Sequence, residues 1–192
     1  MSIPDSLPDR IKILRNTPLY EGGDFLIDIG CAWGYFEVEL SELYKKIIAI
    51  APGEDEIELA KALTVHLNNV SIYCSSFRNF NTEGMRADMV WMGNCFHYIF
   101  IEYNGFAFIP RLFELTSKYL IIEYPYDLYL DSSDMHVLLP RLQSLGLDKL
   151  FTKENILKQL MPYFTLEQTL KSGSPTREII VLHKRSDYEY ME

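Results

Sequence analysis

Cysteine, positive charge and long apolar runs are all scarce, and each shortage narrows what the chain can be. Three cysteines, Cys31, Cys74 and Cys95, occur in 192 residues. The number is odd and none of them pairs as C-x-x-C, so neither a disulfide framework nor a zinc site is expected and no metal ligands are assigned. Lysine and arginine total 18 against 27 aspartates and glutamates, a formal net charge of -9. That balance argues against nucleic acid or an anionic membrane as a partner, since both attract basic surfaces. No apolar run approaches the roughly 20 residues that cross a bilayer. No basic-plus-apolar leader opens the sequence either, so a soluble, cytoplasmic protein is expected. Hydrophobic residues, by contrast, are plentiful at 48%, enough to build one domain over 1–192.

The patterns alternate between strand and helix. A short helix over 5–16 is expected from "RIKIL" after a proline-bearing leader. "DFLIDIG" reads as a buried strand closed by glycine, and "YFEVELSELY" as an amphipathic helix with Phe36, Leu40 and Leu43 on one face. "KIIAIA", "VSIYCSS", "ADMVWMGN" and "YLIIEYP" repeat the strand signal. Between them, "EDEIELAKALTVHL" and the stretch from about Ala107 to Lys118 read as helices. This alternation predicts an α/β fold, a doubly wound and mostly parallel seven-stranded sheet with helices on both faces. An N-capped helix is expected from Thr152. "FTLEQTL" and "REIIVLHKR", joined by the turn "KSGSPT", should close the sheet as a C-terminal antiparallel hairpin. The segment at about 125–150 is longer than a plain connection needs and predicts a lid-like helix. Each cysteine falls at a strand end, so all three are expected to border one crevice.

One turn carries the chemistry. Gly30, Ala32 and Gly34 alternate between the first strand and the helix that follows. Small residues there let a ligand approach the main chain, and the free amides of the helix start face it. Neither the G-x-G-x-x-G nor the G-x-x-x-x-G-K-[ST] spacing is present. With Asp28 the run is instead D-x-G-x-A-x-G, which resembles motif I of the class I S-adenosylmethionine-dependent methyltransferases. The resemblance extends over roughly Asp24 to Tyr124. It takes in "LIDIGCAWG", "IELAKAL", "NVSIYCSSF" and "ADMVWMGNCFHYIF" in the family's order. It implies a Rossmann-like fold, S-adenosyl-L-methionine as cofactor, S-adenosyl-L-homocysteine as product, and methyl transfer.

Residue by residue, the resemblance implies that Asp28 serves the cofactor's amino group and that Gly30, Cys31, Ala32 and Gly34 form the floor. Trp33 and Tyr35 are expected to cover it. Ala51 and Pro52 stand where the family usually has an acid for the ribose hydroxyls, a departure from the pattern with two readings: Glu54 or Asp55 reaches back instead, or the pocket binds the cofactor weakly or binds something else. Ser75, Ser76 and Phe77 occupy the adenine region, where a serine hydroxyl can accept a hydrogen bond in place of the usual acid. Gly93 and Asn94, with Met92, are expected beside the methionine part, and Cys95 and Tyr98 in the wall. His97 and Glu123 are the candidate bases, near Tyr124, Tyr126 and Asp127, while His136 reads as a surface residue. The expected reaction is O-methylation of a small-molecule or sugar-like acceptor. The alternative is a non-catalytic methyltransferase-fold binding or scaffold subunit. A nucleotide-dependent oxidoreductase is the further rival, against which the missing G-x-G-x-x-G counts.

Overall fold

The computed structural model describes residues 7–125, 133–174 and 176–187. Helix α1 (Leu7–Leu14) leads into β1 (Gly23–Ile29), α2 (Tyr35–Leu40), β2 (Tyr44–Ala51), α3 (Glu54–Thr64) and β3 (Val70–Cys74). Then come β4 (Ala87–Gly93), α4 (Phe96–Glu102), α5 (Ile109–Leu115), β5 (Thr116–Pro125), α6 (Ser133–Ser144) and α7 (Lys153–Leu160). Strands β6 (Phe164–Lys171) and β7 (Arg177–Lys184) finish the chain. The seven strands lie in the order β3-β2-β1-β4-β5-β7-β6. Strands β1 to β5 pair in parallel, and β7 runs antiparallel to both β5 and β6. The doubly wound sheet with its terminal hairpin is therefore as the alternation of patterns requires.

Period-two alternation sends each strand's side chains to two different cores. Ile27, Ile48, Val90, Ile122 and Ile180 meet residues of α4 to α7, among them Phe96, Leu112, Leu142 and Ile156. Leu26, Ile47, Met89, Trp91, Ile121 and Val181 point the other way, against Leu14 of α1 and Phe36 and Leu40 of α2. Ile57 of α3 packs on Ala49 and Ala51 of β2. Asp28 and Glu123 share the parity of Leu26 and Ile121, so two carboxyls are buried on the α1 and α2 side of the sheet.

Some boundaries differ from the sequence reading. The helix expected to reach Tyr44 stops at Leu40, because Tyr44 opens β2 in register with Gly23 and its hydroxyl donates to Leu19 O at 2.8 Å. The helix expected up to Lys118 ends at Leu115, and Thr116 starts β5 directly. The aromatic run after β4 is helix α4. Thr152 caps α7 as expected, its hydroxyl accepting from Asn155 N at 3.2 Å. Tyr126 and Asp127 lie outside the described residues, as does the His136 side chain. Among the described residues no helix is long and apolar enough to cross a membrane.

Candidate active site

A cleft of about 740 Å³ opens over the carboxyl ends of β1 to β4, lined at those ends by Ile29, Ala51, Ser75 and Gly93. Its volume falls in the roughly 300–1,000 Å³ range of small-molecule sites. It also lies where open α/β sheets take their ligands.

The turn after β1 is left-handed at Gly30 (φ 90°), Ala32 (φ 46°) and Gly34 (φ 81°). A methyl on Gly30 would come 2.5 Å from Cys95 Cβ, so the bare main chain there is required by close packing as well as by φ. Gly34 serves a different purpose, since a Cβ on it would meet Ala60 Cα and Cβ at 3.0 Å, where α2 leans on α3. Gly30 N and Cys31 N donate to Ile50 O at 2.7 and 3.2 Å, fixing the loop to β2. Cys95 Sγ donates to Ile29 O at 2.7 Å. Burial, with the nearby Asp28 and Glu123, holds the Cys95 thiol well above its ordinary pKa.

Of the residues expected to hold a cofactor, Gly30, Cys31, Ala32, Ala51, Pro52, Ser75, Ser76, Phe77, Gly93 and Asn94 all line this cleft. Trp33, Tyr35, Cys95 and Tyr98 line it as well. Asp28 and Gly34 do not; Asp28 is fully buried on the α1 and α2 side of the sheet, and Gly34 is a packing residue. Met92 is core. Cys74 is exposed, with its thiol near Pro52 O, and only Cys31 and Cys95 among the cysteines reach the crevice.

The two candidate bases are both withdrawn from the wall. His97 is fully buried, its ring 4.1 Å from that of Tyr98, with neither nitrogen partnered among the described residues. Burial, aided by the charge of Arg177, lowers its pKa to about 3. Glu123 is also fully buried, and Arg10 Nε lies 3.2 Å from its Oε2, at ion-pair distance but without hydrogen-bond alignment. Glu37, in the first turn of α2, completes a buried group of carboxyls with Asp28 and Glu123. Burial raises the pKa values of Asp28 and Glu37, and the proximity of Glu37 pushes Asp28 further up. Among the described residues no cluster is arranged to hold a metal ion.

Four charged wall residues were not foreseen: Arg10, Glu56, Glu102 and Arg141. Glu56, in the first turn of α3, lines the cleft along with Ala51 and Pro52, whereas Glu54 and Asp55 do not. Glu102, at the end of α4, accepts a hydrogen bond from Ser76 Oγ at 2.6 Å. The loop holding Phe77 is clamped from α5. Arg111 donates to the carbonyls of Phe77 (2.5 Å), Arg78 (3.2 Å) and Phe80, and to Thr82 Oγ1 (3.0 Å) and Tyr103 Oη (3.0 Å). Its guanidinium also covers the Phe77 ring at 4.4 Å. The sequence hinted at none of these, because each comes from a helix whose facing is set by packing.

A mostly parallel sheet with one reversed strand near its edge, a bare turn after β1 and a cleft above define a Rossmann-like methyltransferase fold. The family model described as a methyltransferase domain matches residues 27–109. No curated protein matches the chain in sequence. Among solved structures, the N-methyltransferase NodS from Bradyrhizobium japonicum WM9 is similar with a TM-score of 0.70 and 15% identity, over 94% of this chain and 99% of that one. Magnesium protoporphyrin IX methyltransferase (ChlM) from Synechocystis PCC 6803, with bound S-adenosyl-L-homocysteine, gives 0.64 and 15%, over 94% and 81%. A SAM-dependent methyltransferase from Aquifex aeolicus gives 0.60 and 17%, over 92% and 90%. At these identities the likeness is one of fold. Together with the domain match over residues 27–109, it gives the chain a methyltransferase-like fold.

Proposed function

We propose that the cleft binds S-adenosylmethionine and that the protein transfers its methyl group to a small-molecule acceptor. The observation that carries this reading is the cleft of about 740 Å³ above the Gly30 to Ala32 turn, a turn that lies in the stretch matched by the methyltransferase domain model. Crystals of NodS and ChlM with S-adenosyl-L-homocysteine, and of ChlM with SAM, add support from proteins of the same fold. The wall fits such a ligand. Asn94 lines it with a buried Oδ1 that has no partner among the described residues, an acceptor waiting for a donor. When bound, the cofactor supplies an activated methyl on a sulfonium, so the chain's main tasks are alignment and exclusion of water.

In this reading Gly30 to Ala32 receive the ligand against bare main chain, and Asn94 accepts from the amino-acid part. The Glu56 carboxylate takes the place of the missing acid at Ala51 and accepts from the ribose hydroxyls. Tyr98, Arg10 and Arg141 shape the acceptor's side. His97 and Glu123 remain the candidate bases for a hydroxyl acceptor only if they gain access to the cleft. As placed, His97 is beneath the wall and Glu123 is held by Arg10. We therefore favour an acceptor whose nucleophile arrives without its proton or gives it up to water, over the alcohol that O-methylation would use.

Titration calorimetry with S-adenosyl-L-homocysteine tests the reading. The wild-type chain should bind it and Gly30→Arg should not, with the fold of the variant checked by circular dichroism. No heat from the wild type at millimolar ligand would leave the fold without this function and return the non-catalytic scaffold to first place.

A further inference from the structure

The chain carries a formal net charge of -9, yet Arg10 and Arg141 both stand in the wall of the cleft. Arg10 comes from α1, whose Leu14 belongs to the core on one face of the sheet. Arg141 comes from α6, whose Leu138 and Leu142 belong to the core on the other face. The two guanidiniums therefore reach the crest of the sheet from opposite sides. The acids of the wall sit on other elements, Glu56 in the first turn of α3 after β2, and Glu102 bonded to Ser76 after β3. Arg10 Nε is set 3.2 Å from Glu123 Oε2, near the end of β5, and its guanidinium makes no hydrogen bond among the described residues. The Arg141 side chain has no partner among them at all.

A guanidinium holds its N–H donors in a rigid fork that matches the two oxygens of a carboxylate. Glu123 offsets one of the two positive charges, so the pair leaves a surplus that complements a monoanion better than a phosphate dianion. Trp33, Tyr35 and Tyr98 line the same cleft and supply aromatic surface for the body of a ligand. We propose that Arg10 and Arg141 recognise a carboxylate on the acceptor, which makes the substrate a small aromatic or apolar carboxylic acid. This inference rests on the cofactor reading above and adds the chemical class of the acceptor to it. A carboxylate gripped by two guanidiniums has its lone pairs occupied, so it anchors the molecule while another atom of the acceptor takes the methyl.

The test titrates benzoate and benzamide, a neutral molecule of the same shape, into protein saturated with S-adenosyl-L-homocysteine, and follows the heat. Wild type is compared with Arg141→Gln, Arg141→Glu and Arg10→Gln, with melting curves to verify folding. Wild type should favour benzoate by about 10-fold or more. Each Gln variant should lose about 3- to 10-fold for benzoate and nothing for benzamide, and Arg141→Glu should abolish the preference. Arg141 is exposed, so its variants keep the test open even if Arg10→Gln, which strands the buried Glu123, does not fold. A merely structural role would weaken both probes alike. Equal affinity of wild type for the two probes, no benzoate binding at tens of millimolar, or an undiminished preference in Arg141→Gln overturns the assignment while leaving the cofactor reading intact. Tighter binding of phenyl phosphate than of benzoate overturns it too, as does an Arg141→Gln variant that loses affinity for S-adenosyl-L-homocysteine instead of benzoate. A wild-type chain that binds no S-adenosyl-L-homocysteine overturns both readings.

Discussion

His97 illustrates how a residue can be well placed in sequence and badly placed for chemistry. It follows β4 at the sheet edge that carries the cleft, yet its ring turns inward and burial lowers its pKa from 6.5 to about 3. The unfolded chain binds a proton there below pH ~6.5, while the folded chain resists it down to about 3. The stabilisation is therefore complete above the unfolded value and drains away as pH falls between those two limits. At most it drains by about 1.4 kcal/mol per pH unit. His97→Phe should be less sensitive to acid: the stability lost between pH 7 and 4.5, from urea melts, should be about 2–3 kcal/mol smaller than in wild type. Equal losses would mean that the imidazole meets water in the folded state. The turn residues Gly30 to Ala32 were legible because motif and function are local there, one main-chain bend serving both. Glu56 and Glu102 were not, since an acid near a helix end has the same sequence signature whether it faces solvent or a cleft.

Helix α5 shows what one short element can organise. Seven residues long, it places Arg111 against a loop on which three carbonyls, one hydroxyl and one phenol converge. A planar fork satisfies that many acceptors where a lysine's single nitrogen cannot. Arg111→Ala should destabilise the protein by about 1–3 kcal/mol, because part-buried carbonyls lose their donors. Arg111→Lys should recover little of this in thermal melts. Both should weaken S-adenosyl-L-homocysteine binding, since the loop carries Phe77 and adjoins Ser75 and Ser76; full affinity in either variant would uncouple the clamp from the cleft. Strands were the most legible elements, because apolar runs closed by glycine or proline admit few other readings. Helix ends were less so: "SELY" continues a helical rhythm, but Tyr44 is claimed by pairing with Gly23, a contact that no local pattern announces.

The molecule as a whole joins two cores through one sheet, with the cleft at the strand ends between them. A ligand seated there touches β1, β2, β4, and the segment after β3, so it should stabilise the fold as a unit. At 100 times its dissociation constant S-adenosyl-L-homocysteine adds about 2.7 kcal/mol. For a chain of this size that corresponds to a rise of about 5–10 °C in melting temperature. NADH at the same concentration should produce no rise; a shift with NADH alone would favour the oxidoreductase. The global topology was readable because strand and helix alternate so regularly. The contribution of α1 was not, as a brief helix after a proline-bearing leader gives no sign of where its arginine will land.

That arginine has a consequence for modularity. Arg10 lies ahead of the 27–109 stretch that the domain family shares, yet it is the guanidinium set against Glu123 beneath the cleft. Burial in that low-dielectric space already raises the pKa values of Glu37 and Asp28. Glu123 lies beyond that stretch, but Asp28 lies within it and also feels the Arg10 charge, so the matched stretch is not electrically self-contained in this chain. A graft or chimera beginning at β1 would inherit three inward carboxyls without their counter-charge, and would have to import a cation from its new host or carry those acids protonated.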